Sequence, residues 1–139
     1  VAVVAERVDG ALQLTLTGQR VGHAFPTGDM FRRLELRARV VDRHGRVLAT
    51  ATPVYLRRTF TDDRSPIDGK VTRRQVADTR VPPPGQGERR VHMPLAIDGA
   101  VIWEVAFQRV DANMARAFGV DMAQDEIIVA RGELARESK

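Results

Sequence analysis

The sequence predicts an all-β fold: an immunoglobulin-like antiparallel β-sandwich of about seven strands, with one short helix near the C-terminus. Three observations carry the prediction. Apolar and polar residues alternate with period two over long stretches, tight-turn residues punctuate those stretches, and helical periods are sparse. Alternation of this kind buries one face of a sheet and leaves the other in water, and two such sheets close on each other as a sandwich.

The elements follow in order. Val1–Val8 and Ala11–Thr17 flank Asp9-Gly10, a tight hairpin signal; in the second run Leu12, Leu14 and Leu16 alternate with Gln13, Thr15 and Thr17. In the next strand Leu34, Leu36, Ala38 and Val40 alternate with Arg33, Glu35, Arg37 and Arg39. Arg43-His44-Gly45 then separates Leu34–Asp42 from Arg46–Leu56 as a second hairpin. Thr61–Arg80 is polar, with Asp62-Asp63, Ser65-Pro66 and Asp68-Gly69, and resists assignment to regular structure. Val81–Gly87 contains Pro82-Pro83-Pro84-Gly85, a stiff extended link that cannot lie in a central strand. Together these two segments form a long excursion, Thr61–Gly87, from the sandwich. Asp98-Gly99 separates Arg89–Leu95 from Val101–Val110, where Val101, Trp103, Val105 and Phe107 share one face. Asn113–Ala123 is the helical segment, opposed by Gly119 and Val120. A final apolar run, Ile127–Ala130, leads through Arg131-Gly132 into Glu133–Ala135.

At 139 residues the chain is expected to be a single domain, 1–139, with a core that needs neither disulfide nor metal. Its beginning at Val1, inside a strand, reads as an excised part of a larger protein or a processed chain. No apolar run has the length of a membrane span. The absence of cysteine excludes disulfides, thiolate metal sites, a cysteine nucleophile and C-x-x-C-H haem attachment within the segment. The net charge of +4 comes almost wholly from arginine, a usage in keeping with a GC-rich coding bias. It is uneven: residues 43–90 hold eleven basic and five acidic side chains, whereas residues 91–139 hold five and eight. A basic flank suits an acidic partner or a neighbouring domain. Nucleic acid is not the expected partner, because no aromatics interleave with the arginines and no recognition motif is present.

Most informative is the loop Gly22-His23-Ala24-Phe25-Pro26-Thr27-Gly28. Glycines and a proline make a costly connection between two strands unless the loop holds one side chain in a set position. An imidazole in that place can ligate a metal or a haem iron or carry a proton. It can equally bond a backbone carbonyl and lock the turn, with Phe25 plugging the end of the sandwich. His44, in a hairpin turn, and His92, alternating outward from Val91 and Met93, read as surface residues; the three histidines share no ligand spacing. Asp62, Asp63 and Asp68 miss the calcium-loop pattern, with Arg64 interrupting them. Serine occurs only at Ser65 and Ser138, neither in a nucleophile elbow. Glu35 and Glu104 are outward strand residues with nothing to say that they face each other. Trp103 and Phe107 read as core, and Met114 and Met122 as helix-face core filler rather than haem ligands.

These residues carry a resemblance. The Gly22–Gly28 loop, the strand Arg32-Arg33-Leu34-Glu35-Leu36 and the turn Asp42-Arg43-His44-Gly45-Arg46-Val47 resemble a β-sandwich domain of some periplasmic multihaem c-type cytochromes. Such domains show a GHxFPTG loop, an arginine- and aliphatic-rich strand and a D-x-x-G-x-V hairpin. Val81-Pro82-Pro83-Pro84-Gly85, leading into Glu88–Leu95, is similar to their proline-glycine entry into a later strand. The layout matches over most of the chain; the His23 loop is its specific part. The resemblance implies a haem-free, non-catalytic module in the periplasm or another extracytoplasmic compartment, attached to a haem-binding domain of the same polypeptide. It further implies haem c in that parent and none in the segment itself, and a redox partner protein for the whole. In that setting His23 is a candidate axial ligand to a haem iron of the neighbouring domain, supported by Gly22, Phe25, Pro26, Thr27 and Gly28. The alternative is a stand-alone secreted adhesive or carbohydrate-binding sandwich that uses the long excursion and the Trp103 face.

Overall fold

A computed structural model describes residues 1–20, 22–28, 31–95, 98–110, 112–119, 121 and 125–137. Ten strands and one helix succeed one another in it: β1 (Ala2–Val8), β2 (Ala11–Thr17), β3 (Arg33–Val41), β4 (Val47–Thr50), β5 (Val54–Leu56), β6 (Arg58–Arg64), β7 (Val71–Asp78), β8 (Arg89–Pro94), β9 (Ala100–Gln108), α1 (Ala112–Phe118) and β10 (Glu126–Leu134). All strand pairings are antiparallel. One sheet has the order β1-β2-β8, and the second has the order β10-β9-β3-β4, with β5 also on β3. β6 and β7 pair only with each other, as a two-stranded ribbon.

The core lies between the first two sheets, and the alternating residues build it. Leu12, Leu14 and Leu16 from β2, with Val91 and Met93 from β8, face Leu34, Leu36 and Val40 from β3 and Val101 and Val105 from β9. Each fully buried aliphatic side chain stabilises by about 1.5–3 kcal/mol. Register sets the packing of the largest member. Trp103 pairs with Ala38 on one side and with Gly132 on the other, so the two smallest cross-strand neighbours flank the indole. A Cβ on Gly132 would lie 2.5 Å from the indole Cζ2, so no side chain fits there without displacing the ring.

The all-β antiparallel fold and the short helix near the C-terminus are as the sequence predicts. Three segments differ from expectation. Thr61–Arg80, assigned no regular structure from its polarity, lies largely in β6 and β7. Both faces of that ribbon are wet, so it needs no apolar alternation; cross-strand pairs Asp62–Arg73 (2.9 Å) and Asp63–Arg74 (2.8 Å) lace it instead. Arg46–Leu56, read as one strand, is two short ones, β4 and β5, both on the same edge of β3; Pro53, which has no amide to donate, lies in the break. Arg131-Gly132, read as a turn, lies inside β10 because the glycine is needed over Trp103. These changes raise the strand number above seven. The helix is shorter than Asn113–Ala123, ending at Phe118 before Gly119 with φ +67°; Val120, Met122 and Ala123 lie outside the described residues.

Candidate functional site

The His23 loop carries the chain from β2 in one sheet to β3 in the other, at one end of the sandwich. Its middle is stitched to the proline-rich link. The Phe25 amide donates to the Val81 carbonyl (2.9 Å), and the Val81 amide donates back (2.8 Å). Val81 is fully buried, and the Phe25 ring meets that of Phe107 at 6.0 Å between centroids. The Phe25–Pro26 peptide is cis, and Pro26 is buried. Phe25 thus closes the end of the sandwich while Gly22 and His23 remain exposed beyond it. The Ala24 carbonyl, 3.3 Å from His23 Nδ1, can only accept, so this contact suits the neutral tautomer with the proton on Nδ1 and the lone pair on Nε2. Both roles read from the sequence are therefore compatible: one ring nitrogen ties to the loop while the other keeps its donor electrons.

The second half of the loop is held by arginines. Arg80 Nη1 donates to the Pro26 carbonyl (3.4 Å), Arg32 Nη1 to that of Thr27 (3.3 Å) and Arg58 Nη2 to that of Gly28 (2.5 Å). Gly28 has φ +101°, and a Cβ there would lie 2.6 Å from the Arg32 guanidinium. The positive φ favours glycine there, while the Arg32 side chain could swing aside to admit a Cβ. Arg89 donates through Nε and Nη2, each at 3.2 Å, to the carbonyl of Arg80. The carboxylate of Asp78 is paired with this group. It bonds Arg80 at 2.7 Å, and that hydrogen bond holds its carboxyl below the ordinary value. The arginines come from β3's approach, β6, the β7–β8 link and β8, so sequence reading, which took them as coding bias, had no local signal for the collar.

Other residues singled out in the sequence are dispersed. His44 and His92 are exposed on separate elements, and among the described residues no three metal-binding side chains converge. Asp62 and Asp63 are neutralised by Arg73 and Arg74, and Asp68 lies 3.9 Å from Lys70. Trp103 is 7% exposed, beneath Gly132. Met114 is half-buried on α1; Met122 and Ser138 lie outside the described residues.

Glu35 and Glu104, unrelated in the sequence, are brought together. Both lie on the outer face of the second sheet around Arg37, which reaches Glu35 at 3.3 Å, Glu104 at 3.9 Å, and Glu126 on β10. Gln108 links the same carboxylates, donating to Glu35 and to Glu126 (2.9 Å) while accepting from Arg33 Nε (2.7 Å). Arg33 lies 4.2 Å from the Tyr55 ring centroid. Burial penalises the Glu126 charge, but the bonds from Arg37 and Gln108 outweigh it and hold the carboxyl below its ordinary value. With the carboxylates committed to arginine and glutamine, this network reads as a structural brace rather than an acid–base pair.

No family model and no curated protein matches the chain. A penta-heme cytochrome c552 from Thermochromatium tepidum has a similar structure, with a TM-score of 0.68 and 19% sequence identity. The similarity covers 96% of this chain and 38% of that one, so the chain spans well under half of the cytochrome's length. What the two share is a fold: nearly all of this chain has a structural counterpart within part of that penta-heme cytochrome.

Proposed function

We propose that the domain is a non-catalytic, haem-free module of a multihaem cytochrome, docked on the haem-binding domain of its own polypeptide and presenting His23 to a haem iron there. The compartment would be the periplasm or an equivalent extracytoplasmic space. The observation that carries the reading is the state of His23: exposed at the end of the sandwich, in a loop fixed by the Phe25–Val81 bridge, with Nδ1 against Ala24. That is the arrangement by which proteins orient a ligating imidazole, one nitrogen held by a carbonyl and the other offered outward. The fold shared with part of a penta-heme cytochrome supports the same setting.

The donor set fits this role and no larger one. With no cysteine in the chain there is no covalent haem attachment within it, and the exposed imidazole of this loop suits one axial position. When bound, haem would supply one-electron transfer. The chain's own part is to hold the ring's direction through Ala24, to resist loop collapse through Pro26 and Gly28, and to cover the haem domain with the end of the sandwich.

The test is the optical spectrum of the intact polypeptide, oxidised and reduced, with and without His23→Ala. Bands that move from low-spin to high-spin on substitution support ligation. Bands that do not move leave an accessory domain with a structural loop, and the absence of haem from the polypeptide overturns the cytochrome setting.

A further inference from the structure

At the far end of β3 from the His23 loop the molecule holds a cleft of about 420 Å³, a volume within the range of small-molecule sites. Two turns build it. The Asp42 carboxylate accepts from the His44 and Arg46 amides (2.8 and 2.9 Å) and so fixes the hairpin after β3. Opposite, Gly99 lies directly on β3: a Cβ there would stand 2.5 Å from Val40 Cγ1 and 2.7 Å from the Val41 carbonyl oxygen. Arg7, reaching across from the first sheet, donates to the Gly99 carbonyl and holds that turn in place. Between the turns, Val41 and Leu48 give the cleft an apolar side, and Leu48 is 45% exposed. The cations of the cleft are unequal. Arg46 is matched by Asp42 (3.0 Å) and Arg136 by Asp98 (2.9 Å). Arg43 has an uncharged partner instead: its Nε donates to His44 Nε2 at 3.2 Å, and no carboxylate among the described residues lies at salt-bridge distance from it. A guanidinium has five donors in a planar fork, so a bond through Nε leaves the two Nη groups to receive a carboxylate end-on.

We infer that this cleft is a binding site for a small organic acid, one carboxylate on a short aliphatic body, with Arg43 taking the carboxylate and Val41 and Leu48 the body. The three arginines and two aspartates that line the cleft leave one positive charge over, and an anion of one charge balances it. An inorganic anion would leave Leu48 uncovered, and a hydrocarbon would leave Arg43 unmatched; a carboxylate with an aliphatic body satisfies both. The nine residues of β3 separate the cleft from the His23 loop. The site therefore stands whether or not that imidazole meets a haem iron, and it can be filled while the other end of the sandwich is docked. Binding is non-covalent, and no group is transferred.

The probe is hexanoate, titrated into the 139-residue chain and followed by calorimetry and by amide shifts, with hexan-1-ol, acetate and inorganic phosphate as comparisons. Hexanoate is expected to bind roughly tenfold more tightly than each of the three, the scale of one charge-assisted bond. It should move the amides of Arg43, His44, Leu48 and Gly99, and its affinity should fall with added salt. Arg43→Gln should weaken hexanoate roughly tenfold and leave hexan-1-ol unchanged, with Arg43→Lys recovering part of the loss. Leu48→Asn should weaken hexanoate roughly fivefold and leave acetate unchanged. Both side chains are exposed, and the comparison of probes on the native chain carries the test should either variant fail to fold. Hexan-1-ol bound as tightly as hexanoate makes the cleft an apolar notch, and acetate or phosphate bound as tightly makes it a bare anion site; either overturns the inference. Full affinity in Arg43→Gln overturns it as well, as do shifts confined to the His23 end and the absence of hexanoate binding. N-acetyl-Gly-Leu, bound more tightly than hexanoate, would assign the cleft to a polypeptide C-terminus and overturn the small-acid reading.

Discussion

His23 and Gly132 show how differently single residues weigh in this fold. His23 touches little beyond its own loop, so His23→Ala should change unfolding free energy by no more than about 0.5 kcal/mol. Urea denaturation of the two proteins checks this, and a near-zero difference would leave any spectral effect of the substitution attributable to ligation. Gly132→Ala is the opposite case. Its added methyl meets the buried indole of Trp103 at 2.5 Å, so the ring or the strand must shift, and a loss of about 1–3 kcal/mol is expected. The same denaturation curves, followed by Trp103 fluorescence, should show a lower midpoint and a shifted native emission. Neither weight was visible in the chain alone: Gly132 reads as a turn residue until its cross-strand partner is known.

Among the elements, the brace on the outer face of the second sheet links β3, β9 and β10 through Arg37, Gln108 and Glu126. The folded carboxyl of Glu126 titrates below its unfolded value, so its contribution to stability is complete above the unfolded value, in the usual carboxylate range. That contribution is lost as pH falls through the folded pKa. Glu126→Gln should therefore flatten the decline of stability with acid, seen in urea midpoints measured from neutral pH downward. The β6–β7 ribbon is held by a two-strand ladder and exposed ion pairs, with every residue of β7 exposed. Two strands alone are marginal in water. Hydrogen exchange should find β7 amides far less protected than those of β3 and β9, and high salt should lower their protection further while leaving the core strands unchanged. The end of the sandwich depends on Phe25 in a third way. Phe25→Ala removes the ring contact with Phe107, for a loss of about 2 kcal/mol, less than for a fully buried ring. Exchange should rise at the Phe25 and Val81 amides.

Across the whole molecule, the same few features align at one end: the loop that crosses between the sheets, the proline-rich link paired with it, and the arginines converging from β6 and β8. Because the haem-facing role is proposed for this end, docking to an isolated haem domain should weaken with ionic strength, whereas a purely apolar contact would not. Binding measured from low to physiological salt decides between them.

The period-two alternation of β2, β3 and β9 was legible because burial on one face of a sheet is a local, repeating demand on side-chain type. The hairpin at Asp9-Gly10 was legible because both residues must take positive φ, +48° and +73°, which few residues tolerate. The His23 loop stood out for the same kind of reason, since its glycines and proline answer to backbone geometry. Tertiary structure alone decided the rest. The ribbon was hidden because its stability comes from cross-strand charge rather than alternation. The network around Arg37 and the collar around His23 were hidden because each is assembled from strands far apart in sequence, and hydrogen bonds between distant side chains leave no period in the chain that makes them.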